Sequence, residues 1–292
     1  MWPLSHLPLC LHRLLGRLTG FVVRNVAGYR RETVKRNLEM CFPDKDAEFI
    51  EKTDRRYYRH LGTIIAEAVW FGSSGNRKKL SRSAIAEVRN AALPNRYYDE
   101  GRSVMVLGAH CGNFEIIGGL PVYAAASEEL KCPENGISVI YRRLSSPVWE
   151  KFLKLNRTAP ILDKENYDGM VETANALRYV ISHKDDRKMF IFITDQYPYG
   201  SPGLDVDFMG LPAKSMKGGA AIARKLHLPV VYLGMSRRQD DKGYTIEFKP
   251  LCDDASQMEL SEIMQKYYNL LEEDIRRQPW NYLWSHKRWK NL

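Results

Sequence analysis

At the end of an unbroken apolar run, residues 103–109 (SVMVLGA), the chain places His110, Cys111, Gly112, Asn113, Phe114 and Glu115. An imidazole is the side chain best suited to take a proton from a hydroxyl near neutral pH. A carboxylate beside it holds the productive tautomer and stabilises the imidazolium that forms. His110 therefore reads as a general base and Glu115, in the turn that follows, as its orienting carboxylate. Gly112 permits close backbone approach, and Asn113 suits the N-cap of the next helix, its amide a candidate donor to substrate or to an oxyanion. The spacing His-x4-Glu is weak on its own; its position directly after a buried strand gives it meaning. Cys111 is the competing nucleophile, but nothing in its sequence neighbourhood lowers its pKa. Cys10, Cys41, Cys111, Cys132 and Cys252 are scattered without a CxxC pair, so neither a disulfide framework nor a zinc site is indicated, and reduced thiols are the simplest reading. No Gly-rich nucleotide fingerprint occurs, so neither NAD nor ATP is implied.

Elements of two kinds must position these groups. Up to residue 75 the periodicity is helical: a basic amphipathic pattern runs through Tyr29, Arg30 and Arg31 to Asn37 and Leu38. Pro43 and Asp44 break it, and it resumes over 46–71 with Phe49, Tyr57, Leu61, Ile64, Ile65 and Val69. The loop at 73–76 suggests a boundary, giving a helical region at 1–75 and a second region at 76–292. Beyond residue 100, strands are expected at 103–109, 136–141, 159–162, 189–194 and 229–235, with an edge strand at 244–249. Helices are expected from about Asn113, from about Pro147, and at 170–181, 215–226 and 258–276. This alternation predicts an α/β fold: a mostly parallel central sheet flanked by helices, with an N-terminal basic amphipathic helical region and the site where strands end and helices begin.

Composition narrows the partners. With 292 residues, 44% of them hydrophobic, the chain can bury a sizeable core. Its 44 Lys and Arg against 35 Asp and Glu give a net charge of +9, suited to an anionic lipid surface, a phosphorylated substrate, an acidic carrier protein or nucleic acid. The last lacks support, because no recognised DNA-binding module or aromatic-interleaved basic stripe is present. Near the amino terminus, Leu7, Leu11, Leu14, Leu18 and Val22 recur at helical spacing with Arg13, Arg17 and Arg24 set apart from them. The apolar runs are too short to span a bilayer, and the charges are placed wrongly for a cleaved signal. Two readings stay open: a helix lying in a membrane interface, or one packed on the domain core.

These blocks together resemble the bacterial lipid A biosynthesis acyltransferases, within the wider lysophospholipid acyltransferase superfamily. The resemblance is carried by Tyr29-Arg30-Arg31, Arg36-Asn37-Leu38, Phe42-Pro43 and Tyr57-Tyr58-Arg59-His60-Leu61. It continues through the 108–115 block, Tyr141-Arg142, Thr194-Asp195-Gln196, the stretch 208–213, Gln278-Pro279-Trp280 and the run from Tyr282 to Arg288. It covers nearly the whole chain. Departures are Cys111, where a bulky residue is common, a shorter and more interrupted first helix, and two lysines within 212–219.

The resemblance implies transfer of a fatty acyl chain from a thioester, on acyl carrier protein or CoA, to a hydroxyl of a glycolipid, a lipid A precursor. It implies His110 as base and Glu115 as the acid that orients it. Arg142 becomes a candidate for holding an oxyanion or a phosphate, and Asp195 a further site residue. No metal is needed, since a thiolate leaves readily. The implied location is the cytoplasmic face of the bacterial inner membrane, peripheral or anchored through the first helix. An acceptor such as another glycolipid, a lysophospholipid or an aminolipid would use the same signature. A non-catalytic basic membrane-binding protein is the alternative of a different class.

Overall fold

The two strongest apolar runs become neighbouring strands at the centre of a seven-stranded sheet. The computed structural model describes residues 7–73, 75–198, 200 and 202–289. Three helices come first: α1 (Leu9–Asn25), α2 (Arg31–Cys41) and α3 (Ala47–Phe71), followed by the short α4 (Arg77–Ser83). Then β1 (Ala86–Arg89), α5 (Ala92–Asp99) and β2 (Val104–Gly108) lead to a 3-10 turn at Phe114–Gly119, which runs into α6 (Leu120–Ala125). The chain continues through β3 (Ile137–Tyr141), α7 (Pro147–Arg157), β4 (Met170–Glu172), α8 (Ala176–His183) and β5 (Met189–Ile193). It ends with β6 (Leu204–Phe208), β7 (Leu211–Ser215), α9 (Gly218–Lys225), β8 (Val230–Arg237), β9 (Tyr244–Cys252) and α10 (Leu260–Arg277).

The sheet order is β1-β9-β8-β2-β5-β3-β4. Strands β8, β2, β5, β3 and β4 run parallel, β9 is antiparallel to β8, and β1 lies parallel to β9. Both faces of the central strands are covered, which is why they read as unbroken apolar runs. Met105 and Leu107 face one apolar layer with Phe190, Phe192 and Tyr232, while Val104 and Val106 face the other with Ile191 and Val231. Apolar residues of α2 and α3, including Leu38 and Tyr57, belong to the first of these layers.

The α/β reading holds, and five local expectations are corrected. Residues 159–162 form no strand; the strand in that part of the sheet is β4, where a helix was expected to begin. Val171 is buried against β3 in the register Ile140↔Val171, and three residues are too few to reveal an alternation. The stretch 244–249 is not an edge: β9 lies between β8 and β1, and the edge on that side is the four-residue, half-polar β1. Ser215 closes a β6–β7 hairpin instead of opening a helix. The hairpin turn passes through Met209 and Gly210, both at positive φ (59° and 73°), the mirror-image turn that matches strand twist. Around Asn113 the helix is a 3-10 turn until Leu120.

The first helix packs on α3 and leaves its apolar stripe exposed. Its buried residues are His12, Gly16, Gly20 and Arg24, pressed on α3. A Cβ at Gly16 would stand 2.7 Å from the Gly62 carbonyl oxygen, so glycine at this crossing sets the interhelical distance. Arg24 bonds Asp54 at 2.7 Å and Glu51 at 2.7 Å, and Arg13 bonds Glu67 at 2.7 Å. The leucine stripe points outward, with Leu14 62% and Leu18 61% exposed beside an exposed Phe21. Burying the small and polar side while exposing the apolar one suits a helix that meets an apolar medium. Among the described residues no helix is long and apolar enough to cross a membrane.

Candidate active site

Strands β2 and β5 pair in the register Gly108↔Ile193, so their carboxyl ends finish level with each other. His110 and Asp195 each stand two residues beyond that pair. This shared register, not proximity in sequence, brings the two side chains together. His110 Nδ1 lies 2.7 Å from Asp195 Oδ1, and the His110 backbone N–H donates to the same oxygen at 3.1 Å. With the carboxylate accepting from Nδ1–H, Nε2 keeps its lone pair as an acceptor, and the Gln196 side-chain amide donates to it. The Gln196 amide nitrogen stands 3.3 Å from Nε2. Asp195 is almost wholly buried. Burial pushes its pKa up, but the imidazole's charge and the His110 hydrogen bonds outweigh this and hold the carboxyl below its ordinary value.

Glu115 is placed differently from the sequence expectation. Its two oxygens accept from Arg157 Nε and a terminal guanidinium nitrogen, both at 2.8 Å, and the carboxylate hydrogen-bonded to His110 is Asp195. The physical reason is the local backbone. The segment after Gly112 turns as a 3-10 helix, and a guanidinium at the end of α7 offers Glu115 a bidentate partner that the imidazole cannot match. The pair fastens α7 to the turn that follows His110. Burial pushes the Arg157 pKa down, and the Glu115 hydrogen bonds and charge more than reverse it.

Asn113 is also corrected. It stands at the N-cap position, yet its side chain makes no cap bond. It is completely buried and donates to Glu67 at 3.1 Å. Glu67, itself wholly buried, draws donors from every side: Tyr244 at 2.8 Å, Arg237 at 3.2 Å and Arg13 at 2.7 Å besides Asn113. A buried carboxylate demands such partners. It ties α1, α3, β8 and β9 to the loop carrying His110. The sequence signal was a single acid inside the apolar end of α3 (LGTIIAEAVWF).

Arg142 lies just past β3 at the same carboxyl edge of the sheet. It is exposed, makes no ion pair among the described residues, and does not line the cavity beside His110. Cys111 is buried, and burial raises its thiol pKa well above the ordinary value, which leaves it inert. It forms an isolated antiparallel bridge with Tyr282, while Gly112 N–H donates to Asn281 O and Leu283 N–H to His110 O, both at 3.1 Å. The carboxyl-terminal segment thus clamps the backbone of His110.

Beside His110 opens an apolar cavity of about 430 Å3. One wall is α3 (Leu61, Ile64, Ile65, Ala68, Val69), the opposite wall α7 (Trp149, Phe152, Leu153), and Tyr282 and Leu283 close a third side. His110 and Glu115 are among its few polar residues, a distribution suited to an apolar ligand oriented by few polar groups. The wall residues follow from helical spacing: Asp46 caps α3 by accepting from Phe49 N–H at 2.8 Å, and Ser146 and Pro147 open α7. Both helices also carry exposed apolar residues, Ile65 on α3 and Val148 and Leu155 on α7.

An imidazole hydrogen-bonded to a buried carboxylate thus stands at the carboxyl edge of an α/β sheet, beside an apolar slot. Comparison with known proteins gives the family. Residues 1–291 match the family described as Bacterial lipid A biosynthesis acyltransferase, and the chain belongs to it. The chain is 23% identical to the lipid A biosynthesis palmitoleoyltransferase of Escherichia coli (strain K12), across 99% of this chain and 88% of that protein. It is also 23% identical to the E. coli lipid A biosynthesis lauroyltransferase, across 99% and 89%, and to a lipid A biosynthesis acyltransferase of Haemophilus influenzae, across 97% and 86%.

Proposed function

We propose that the protein moves a fatty acyl chain from an acyl thioester to a hydroxyl of a lipid A precursor at the cytoplasmic surface of the inner membrane. The observation that carries this reading is the His110–Asp195 pair at the apolar cavity. In the proposed reaction, His110 Nε2 removes the acceptor's hydroxyl proton as the oxygen attacks the thioester carbonyl. Asp195 stabilises the imidazolium so formed. The tetrahedral intermediate collapses with cleavage of the C–S bond, and the imidazolium proton goes to the departing thiolate. The acyl chain occupies the slot between α3 and α7, and the Glu115–Arg157 pair keeps that slot's walls in register with the base. Arg142 is available at the same sheet edge for an oxyanion or a phosphate of the acceptor. The donor is acyl carrier protein or CoA, and the +9 charge favours an acidic carrier.

A transfer assay on purified protein tests this. Labelled acyl-carrier thioester and acyl-CoA are each offered against a diphosphorylated lipid A precursor and a lysophospholipid, with wild type and His110→Ala side by side. Acylated glycolipid that vanishes in the variant is expected. Product on the lysophospholipid alone would move the acceptor to another lipid class, and no product from any pair while lipid binding survives would refute the enzymatic reading.

A further inference from the structure

A second concavity lies on the other side of His60 from the acyl slot. Arg13 and Arg17 of α1, Arg56 and Arg59 of α3, and Arg237 of β8 line it together with Trp280. His60 lines both cavities. Two carboxylates are in ion-pair contact with these five guanidiniums, and both are engaged: Glu67 by Arg13 and Arg237, Asp241 by Arg237 at 3.0 Å and by Arg17 at 3.9 Å. Arg56 and Arg59 have no carboxylate partner among the described residues. Arg56 is instead held over the Trp280 ring, 4.1 Å from its centroid, which fixes a guanidinium without neutralising it. Burial and repulsion by Arg59 lower the Arg56 pKa, with Asp241 only partly offsetting them. Like charges gathered this way within a cleft repel one another until an anion joins them.

Geometry selects the anion's chemistry. Fixed, planar guanidiniums match the bidentate oxygens of a phosphate. Position selects its setting. Arg13 and Arg17 stand one turn apart on α1, and the exposed Leu14, Leu18 and Phe21 lie next to them around the same helix. When that apolar face enters a bilayer boundary, the arginine column sits at headgroup depth. We propose that this arginine cleft is a phosphate-binding site for a phosphorylated amphiphile in the leaflet that α1 contacts. The phosphate lies across His60 from the acyl slot, so the same lipid can present a hydroxyl toward His110; this last step rests on the transfer reading above.

The test measures binding of the full chain to nonionic detergent micelles doped with lysophosphatidic acid or with the same mole fraction of oleate. Inorganic phosphate and coenzyme A serve as soluble arms. The proteins are wild type, the double variant Arg56→Ala/Arg59→Ala, and Arg55→Ala, which removes an exposed charge from the same helix. Each charge-assisted contact is worth roughly a tenfold change in affinity or more. Wild type should prefer the phosphate micelles about tenfold or more, the double variant should bind them about a hundredfold more weakly, and Arg55→Ala should match wild type. Equal thermal midpoints exclude misfolding, and His110→Ala should bind as wild type does, separating this result from any failure of catalysis. Saturation by coenzyme A without any preference for phosphate micelles would give the cleft to a soluble ligand and overturn the assignment to a leaflet lipid. Equal binding of oleate and phosphate micelles, or full retention by the double variant, would overturn the proposal. Where transfer is measurable, the double variant should raise KM for a phosphorylated acceptor and spare kcat.

Discussion

Replacing Asp195 by Asn tests the core of the site. The substitution keeps size and an acceptor for the His110 backbone N–H, but removes the charge that faces the imidazole at 2.7 Å. Asp195 is nearly all buried and His110 mostly so, which leaves solvent little capacity to replace the lost interaction. A charge-assisted hydrogen bond of about 1.5–3 kcal/mol that strengthens as the imidazolium forms corresponds to roughly a 10–150-fold loss in kcat. If the new amide donates to Nδ1, the tautomer inverts, Nε2 carries the proton, and the loss rises toward about 10^4-fold. The assay is single-turnover acyl transfer at saturating donor, with circular dichroism to confirm the fold. A kcat within about threefold of wild type would refute the assignment of Asp195 as the partner of the base.

Three further outcomes follow from the structure. Glu115→Gln should weaken the fastening of α7 to the turn after His110, lowering stability by about 1–2 kcal/mol, since the pair is largely buried and the amide keeps one hydrogen bond; an unchanged Tm would contradict this. Gly16→Ala should push α1 off α3, costing about 1–3 kcal/mol and reducing membrane binding, whereas Leu18→Glu on the exposed face should reduce membrane binding without lowering Tm. His60 is buried, and burial, then the charges of Arg237 and Arg56, depress its pKa to about 3, with an Asn281 hydrogen bond opposing them. The unfolded chain binds a proton near pH 6.5 that the folded protein refuses. Stability should therefore fall on acidification through that pH, by roughly 2–3 kcal/mol on reaching pH 4.5. Denaturant titrations of wild type and His60→Asn should differ in this slope, and identical slopes would exclude His60 as its source.

Much of the fold was legible because its signals are local. The runs that became β2, β5 and β8 are apolar throughout, since parallel strands covered on both faces have no side to leave polar. The helical spacing of α3, α7 and α10 likewise survived into the structure. Strands β1 and β4 were hidden because three or four residues carry no period. The order of strands was hidden because β9 turns from an apparent edge into an interior strand only when the remote β1 pairs with it.

The sequence by itself determined that an imidazole would stand at the end of a buried strand, and that a basic helix with a leucine stripe would precede it. Those facts depend on residues within a few turns of one another. Tertiary structure alone decided which carboxylate would meet that imidazole. Asp195 is 85 positions from His110 and Glu115 only five, yet the parallel register of β2 and β5 delivers the distant one, while Arg157 at the end of α7 takes the near one. It also decided which side of α1 would be buried. Glycines at the crossing with α3 and the acids of α3 favour the small, basic side, leaving the leucines outward, a choice that the pattern of the helix alone left open. Spacing along a chain sets what a segment can present; which partner it meets depends on long-range pairings that the segment does not encode.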